Sequence, residues 1–163
     1  INVNNQFMAF GMKDGTIQIF NNERQPVTVL KEHKSSICSL SIIKIKGQTY
    51  LASGSDIGCS KIITWNIATW QPLERFENHK AAVTAIIDLQ DNTHILSGSY
   101  DKKINVYNVE QGRFVYNLPA NQTSVTGAII NKNATRVITC GLDKALNVWQ
   151  ISKTNGKVDT LFL

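Results

Sequence analysis

No stretch of this chain approaches the roughly 18 consecutive apolar residues that a membrane-crossing helix requires. Its opening, INVNNQFMAF, also lacks the charged start and long apolar core of a secretory leader. These absences lead to the expectation of an intracellular protein, cytoplasmic with the nucleus as the alternative, and of no membrane partner. Cysteine is scarce. The three present, Cys38, Cys59 and Cys140, form an odd set without CxxC spacing, which suggests neither a disulfide framework nor a zinc site and reads as three small buried hydrophobes. The N-x-T triplets at Asn121 and Asn133 would matter only in a secreted protein. Histidine is equally scarce: His33, His79 and His94 are the whole set, none lies four residues from another or beside a cysteine, and no metal site or cofactor is expected. The stretch GSDIGCSK lacks both the spacing of a phosphate loop and the helix whose N-terminus would hold the phosphate. Glu74 and Glu77 read as exposed charges, not as an acid–base pair. Nor is there a run of one charge sign: Lys and Arg outnumber Asp and Glu by 17 to 12 but are scattered, the pattern of a solvated surface more than of a nucleic-acid arm.

What the chain does have is a repeat. Residues 94–109 read HILSGSYDKKINVYNV and residues 136–151 read RVITCGLDKALNVWQI, so Asp101 and Asp143 are 42 residues apart and each stands six before an aromatic, Tyr107 or Trp149. FMAFGMKDGTIQIF repeats the unit in degenerate form, with Asp14 six residues before Phe20, whereas Asp56 stands nine before Trp65 and marks an insertion of three residues in one turn. Each unit resolves into short extended segments with alternating or β-branched apolar residues: Ile37, Leu40 and Ile42, then Ile95 to Ser99, then Ile104 to Tyr107, then a fourth such as Phe114 to Leu118. Turn-rich links such as Asn21-Asn22, Gln111-Gly112 and Asn155-Gly156 lead to the fourth segments. Four short antiparallel strands per period of about 42 to 46 residues is the pattern of a propeller blade.

The stretches SGSDIGCSKIITW and SGSYDKKINVY resemble WD repeats, and His33 and His79 stand where that family places a histidine between the last strand of one blade and the first of the next. The resemblance covers essentially the whole chain. It implies an all-β fold, a β-propeller of four-stranded antiparallel blades with about four present: a partial first blade over residues 1–30, then blades over 31–76, 77–118 and 119–163. Aligning the first unit on the third sets Ile1 level with Asp88, so the innermost strand of the first blade is expected to be missing. Because a propeller protects its strand edges by closing, and this family generally does so with about seven blades, a fragment of a larger seven-blade-type ring is expected. A compact four-blade closure and assembly with a second copy are the alternatives.

His79, Ser97 and Asp101 have the residue types of a hydrolase triad. The resemblance implies instead a buried structural network in which the turn Asp holds the His, the His bonds a strand Ser or Thr, and the chain ends on a strand Trp. His33, Ser53, Asp56 and Trp65 would form one set, His79, Ser97, Asp101 and Tyr107 another, and Thr139, Asp143 and Trp149 belong to a third in which Asn121 replaces the histidine. Phe10 stands in the first unit where the others have Ser53, Ser97 and Thr139. Asp56, displaced within the inserted loop 56–60, puts the second set in question.

The family's top face would carry Lys13, Tyr100 and Leu142, just before each turn Asp, and Lys34, Lys80 and Gln122, just after each linking position. Tyr supplies contact area and lysines steer acidic groups, so the expected partner is a protein or peptide, acidic or phosphorylated, within a multiprotein complex. Trp70, where the family commonly has Gly, reads either as internal packing or as a second partner contact. The leading expectation is therefore a non-catalytic protein-interaction scaffold. A ribosome- or RNA-associated propeller comes second, with the Lys44 and Lys46 turn as its weak support, and a hydrolase third.

Overall fold

The computed structural model describes residues 1–118, 123–151 and the backbone of 158–161. Within them the chain forms four four-stranded antiparallel sheets. The first holds β1 (Asn2–Val3), β2 (Phe7–Gly11), β3 (Ile17–Asn21) and β4 (Pro26–Leu30); the second β5 (Ile37–Ile45), β6 (Gln48–Ser55), β7 (Ile62–Asn66) and β8 (Pro72–Phe76). The third holds β9 (Val83–Asp88), β10 (His94–Ser99), β11 (Ile104–Asn108) and β12 (Arg113–Leu118); the fourth β13 (Val125–Ile130), β14 (Arg136–Gly141), β15 (Leu146–Ile151) and β16 (Val158–Leu161). Strand order follows chain order in every sheet, so each is a meander.

Alternation accounts for the strands. In β3, Ile17 and Ile19 are buried while Gln18 and Phe20 are only partly so, whereas every residue of β11 is buried because both faces of the third sheet are covered. The turns after β2, β10 and β14 share one device: Asp14, Asp101 and Asp143 each accept, through Oδ1, the backbone N–H two residues on, at 2.9, 3.0 and 3.1 Å. Lys102 and Lys144 follow their Asp in the left-handed region, at φ 71° and 61°. At the matching place in the first sheet stands Gly15, φ 86°, where an added Cβ would lie 2.6 Å from the His33 carbonyl oxygen.

The sheets stack face to face, and each contact repeats the last. Ala9, Ile17 and Ile19 of the first sheet pack against Leu51, Ile63 and Trp65 of the second. Ala52 and Ile62 of the second meet Val83, Ile86, Ile95 and Tyr107 of the third, and Leu96, Ile104 and Val106 of the third meet Val125, Val137 and Trp149 of the fourth. Close approach requires small residues at one place per sheet: a Cβ added to Gly11, Gly54 or Gly98 would stand 2.5, 2.7 or 2.6 Å from Ile37, Val83 or Val125 of the next sheet. Trp65 is buried in this way, and truncating it to Ala would cost about 3–5 kcal/mol in lost burial and cavity.

Two expectations change. The innermost strand of the first blade is not absent but reduced to β1, whose Asn2 and Val3 pair with Met8 and Phe7. The compact four-blade closure does not form: neighbouring sheets touch along β2–β5, β5–β9 and β9–β13, and no comparable contact joins the first sheet to the fourth among the described residues.

Candidate functional site

Serine, histidine and carboxylate do come together in the third blade. The His79 ring lies with Nδ1 2.9 Å from Asp101 Oδ2 and Nε2 2.7 Å from Ser97 Oγ. A carboxylate only accepts, so Nδ1 donates to Asp101 while Nε2 faces the serine hydroxyl. Ser97 also bonds the Tyr107 phenol, which takes a further 3.0 Å bond from Asn105 Nδ2. Burial works to raise the Asp101 carboxyl, but bonds from the His79 ring and the Lys80 and Lys103 amides outweigh it and hold it at about 2. Burial pushes Tyr107 up to about 12. Asn105 Oδ1 is the one buried side-chain polar atom without a partner among the described residues.

The second blade repeats half of this. Trp65 Nε1 donates to Ser53 Oγ at 2.8 Å, and Ser53 lies 2.7 Å from His33 Nε2. Indole can only donate, so Ser53 accepts from Trp65, and Ser53 Oγ also donates to the Ile63 carbonyl at 3.3 Å. Asp56 does not bond the ring. Its carboxylate bonds the Ile57 amide at 2.7 Å inside the inserted loop, and Cys59 Sγ stands 3.7 Å from Nδ1 in its place. The turn between the paired Gly54 and Ile62 is two residues longer than that between Gly98 and Ile104, and Asp56 leaves the strand one residue earlier after Ser53 than Asp101 does after Ser97, so Cys59 and not Asp56 holds the place six residues before the indole. Burial then lowers His33 to about 4.

In the fourth blade Trp149 Nε1 donates to Thr139 Oγ1 at 2.9 Å, and Asp143 makes its turn; Asn121 lies outside the described residues. The first blade has Phe10 and Phe20, edge to face at 5.6 Å, where the others have hydroxyl and indole or phenol. Both serines are wholly buried with their hydroxyls engaged, so a substrate carbonyl has no approach to Ser97.

The β2–β3, β6–β7, β10–β11 and β14–β15 turns and the links from the first blade to the second and from the second to the third all lie at one end of the array. That end brings together Lys13, Lys34, Lys80, Tyr100 and Leu142, all exposed, while Gln122 lies outside the described residues. Lys102, Lys103, Lys144 and the exposed Ile57 join them there, residues the sequence reading passed over. The signal was available for the lysines, which follow each turn Asp, but Ile57 sits in the inserted loop, outside any repeat position. Among the described residues none of these lysines is engaged in an ion pair, and the lysines so engaged are Lys46, with Glu110, and Lys61, with Glu77, both at 2.6 Å. Trp70 lies at the opposite end, at φ 57°, with its ring edge-on to Phe7 of the first blade at 5.3 Å. No group of three His, Cys, Asp or Glu side chains is placed to hold a metal ion among the described residues.

Meander sheets repeating along the chain and stacked about their inner strands define blades of a β-propeller. The family model for the WD domain, G-beta repeat, matches residues 70–108 and 112–150. Each match begins near the outermost strand of one blade and ends with the third strand of the next, so the sequence unit ties neighbouring blades together. Similar proteins include p21-activated protein kinase-interacting protein 1-like of Xenopus laevis, 32% identical over 73% of this chain and 32% of that protein. Its Danio rerio namesake is 30% identical over 74% of this chain and 32% of that protein. Apoptotic protease-activating factor 1 of Rattus norvegicus is 28% identical over 88% of this chain and 11% of that protein. The chain belongs to the WD-repeat family, whose repeats serve protein–protein interaction, and it spans about a third of the length of the first two relatives.

Proposed function

We propose that this chain is a non-catalytic scaffold within an intracellular multiprotein complex, and that it seats an acidic or phosphorylated segment of a protein partner on the end carrying Lys13, Lys34, Lys80, Tyr100 and Leu142. The observation behind the reading is the composition of that end. Successive blades present an apolar side chain in the same turn (Ile57, Tyr100, Leu142), beside exposed lysines that make no ion pair among the described residues. Apolar anchors supply affinity, and the lysines favour approach of negative charge. Burial of Ser97 and Ser53 supports the absence of catalysis, and the names of two relatives, as proteins that interact with a kinase, support the scaffold class. Its three free cysteines fit a reducing compartment.

The test is to compare partners captured from cells by the wild-type chain and by a Tyr100→Ala/Lys80→Glu variant matched to it in urea midpoint. A set of proteins lost selectively from the variant is expected; an unchanged set overturns the site. Captured RNA whose binding falls steeply with salt would replace the reading with the nucleic-acid one.

A further inference from the structure

We propose that Cys59 is an oxidation site: a peroxide converts its thiol to the sulfinate, and the added oxygens fill the carboxylate place that the His33 network of the second blade lacks.

The two middle blades supply the comparison. Cys59 stands six residues before Trp65 as Asp101 stands six before Tyr107, and its Sγ lies 3.7 Å from His33 Nδ1 where Asp101 Oδ2 lies 2.9 Å from His79 Nδ1. Asp101 Oδ2 also accepts the Lys80 amide at 2.9 Å, whereas the equivalent amide, that of Lys34, bonds no backbone or side-chain acceptor among the described residues. His33 is 7% exposed, and among the described residues the thiol is the one group that meets its Nδ1. The second blade thus keeps the ring of an acid site and has a sulfur, a weak hydrogen-bonding atom, where the acid belongs.

The loop fixes the sulfur and leaves it reachable. The Asp56 carbonyl accepts the Cys59 and Ser60 amides, at 3.2 and 2.8 Å, and the Ser35 hydroxyl at 2.9 Å. Cys59 is only half-buried, beside the exposed Ile57 and Gly58, so a molecule as small as hydrogen peroxide can approach Sγ from solvent. The Lys61 ammonium, held protonated chiefly by its bond to Glu77, also interacts with a thiolate at Cys59, and the thiolate is the nucleophilic form. Cys38 is more exposed, but partial burial of its sulfur and the charge of Asp56 push its thiol up and favour the unreactive form.

The thiolate attacks one peroxide oxygen: an S–O bond forms, the O–O bond breaks, sulfur is oxidised, and the other oxygen leaves as water, giving the sulfenic acid. A second peroxide adds a second oxygen in the same way and gives the sulfinic acid, which releases its proton to solvent at neutral pH. The product spreads one negative charge over two oxygens, as a carboxylate does. One oxygen then accepts from the Nδ1–H of His33, and a charge-assisted hydrogen bond replaces the thiol contact. Glu32 and Lys61 are the other charges that act on His33, and both are present before and after oxidation.

The experiment treats the wild-type chain, Cys59→Ser and Cys59→Asp with hydrogen peroxide, locates added oxygen by peptide mass mapping, and follows His33 by NMR titration and stability by urea midpoint. In the wild type, Cys59 is expected to gain two oxygens before Cys38 gains any. The His33 midpoint is then expected to rise from about 4 by about 1–3 pH units, and the loss of stability between pH 6.5 and 4 to shrink with it. Cys59→Ser, which takes up no oxygen there, is expected to show neither change and so reports any effect of the other two thiols or of Met12. Cys59→Asp carries the acid from the start, and is expected to show the raised His33 value without peroxide and no further rise with it. A Cys59 that stays reduced while Cys38 is oxidised overturns the proposal. So does an oxidised Cys59 that leaves the His33 midpoint near 4 or unfolds the chain, and so does an equal shift in Cys59→Ser.

Discussion

The second and third blades bury the same imidazole against the same serine but supply it with different third partners. In the third blade the ring holds the Asp101 carboxylate at 2.9 Å, and the carboxyl sits at about 2 because the ring and two amides bond its charged form. In the second blade a turn two residues longer leaves Asp56 out of reach, the thiol of Cys59 takes its place at 3.7 Å, and His33, buried without a carboxylate, falls to about 4. A short insertion in an exposed turn thus changes the charge state that a buried network can stabilise, while the hydroxyl link behind it stays the same length, 2.7 Å in both.

The largest expected effect is the asymmetry between the two turn aspartates. Asp101→Ala leaves a buried His79 N–H and the Lys80 amide without their acceptor and should cost about 2–3 kcal/mol. Asp56→Ala removes only a contact within its own loop and should stay within about 0.5 kcal/mol. Urea midpoints measure both, and equal losses would erase the distinction. The hydroxyls should behave alike: Ser97→Ala and Ser53→Ala each strand two buried partners and should each cost about 1–3 kcal/mol.

Acid should then separate the blades. His33 has a folded value of about 4 against 6.5 for an ordinary histidine, so between those pH values the unfolded chain takes up a proton that the folded chain refuses. Stability therefore falls as pH drops from 6.5 to 4, and His33→Gln should flatten that slope. Asp101 acts lower down: its contribution is intact above the ordinary carboxylate value of 3.8 and is lost as pH falls toward 2. A slope unchanged in the His33 variant would show that the second network is not the source. The smallest effect is a repair. Cys59→Asp should give His33 a carboxylate, raise its value above about 4 in an NMR titration, and add about 1 kcal/mol; no movement of the His33 resonance would count against the displaced-carboxylate account.

Much of this was legible in the sequence, because a blade is built from local signals. Alternation in IQIF and INVY gives strands, and an Asp placed before a left-handed turn gives the hairpin ends. The 42-residue recurrence of Asp101 at Asp143 gives the repeat. The candidate partner face was partly legible for the same reason, since Lys80 and Tyr100 hold fixed positions in the unit, while Ile57 belongs to an insertion that has no counterpart to align with. Cys59 as the partner of His33 was legible only by counting back from Trp65, six residues as from Tyr107 to Asp101, because a thiol there does not resemble the repeat's carboxylate.

Residue order by itself determined the fold class, the four blade units within this sequence and the pairing of Trp with Ser or Thr across neighbouring strands, because those contacts join residues held a fixed distance apart by regular strands. Only the tertiary structure decided which group reaches each imidazole and that Trp70 closes edge-on to Phe7 of the preceding blade. Those outcomes depend on where a diverted loop ends and on how whole sheets stack, and neither is encoded by spacing within a single repeat.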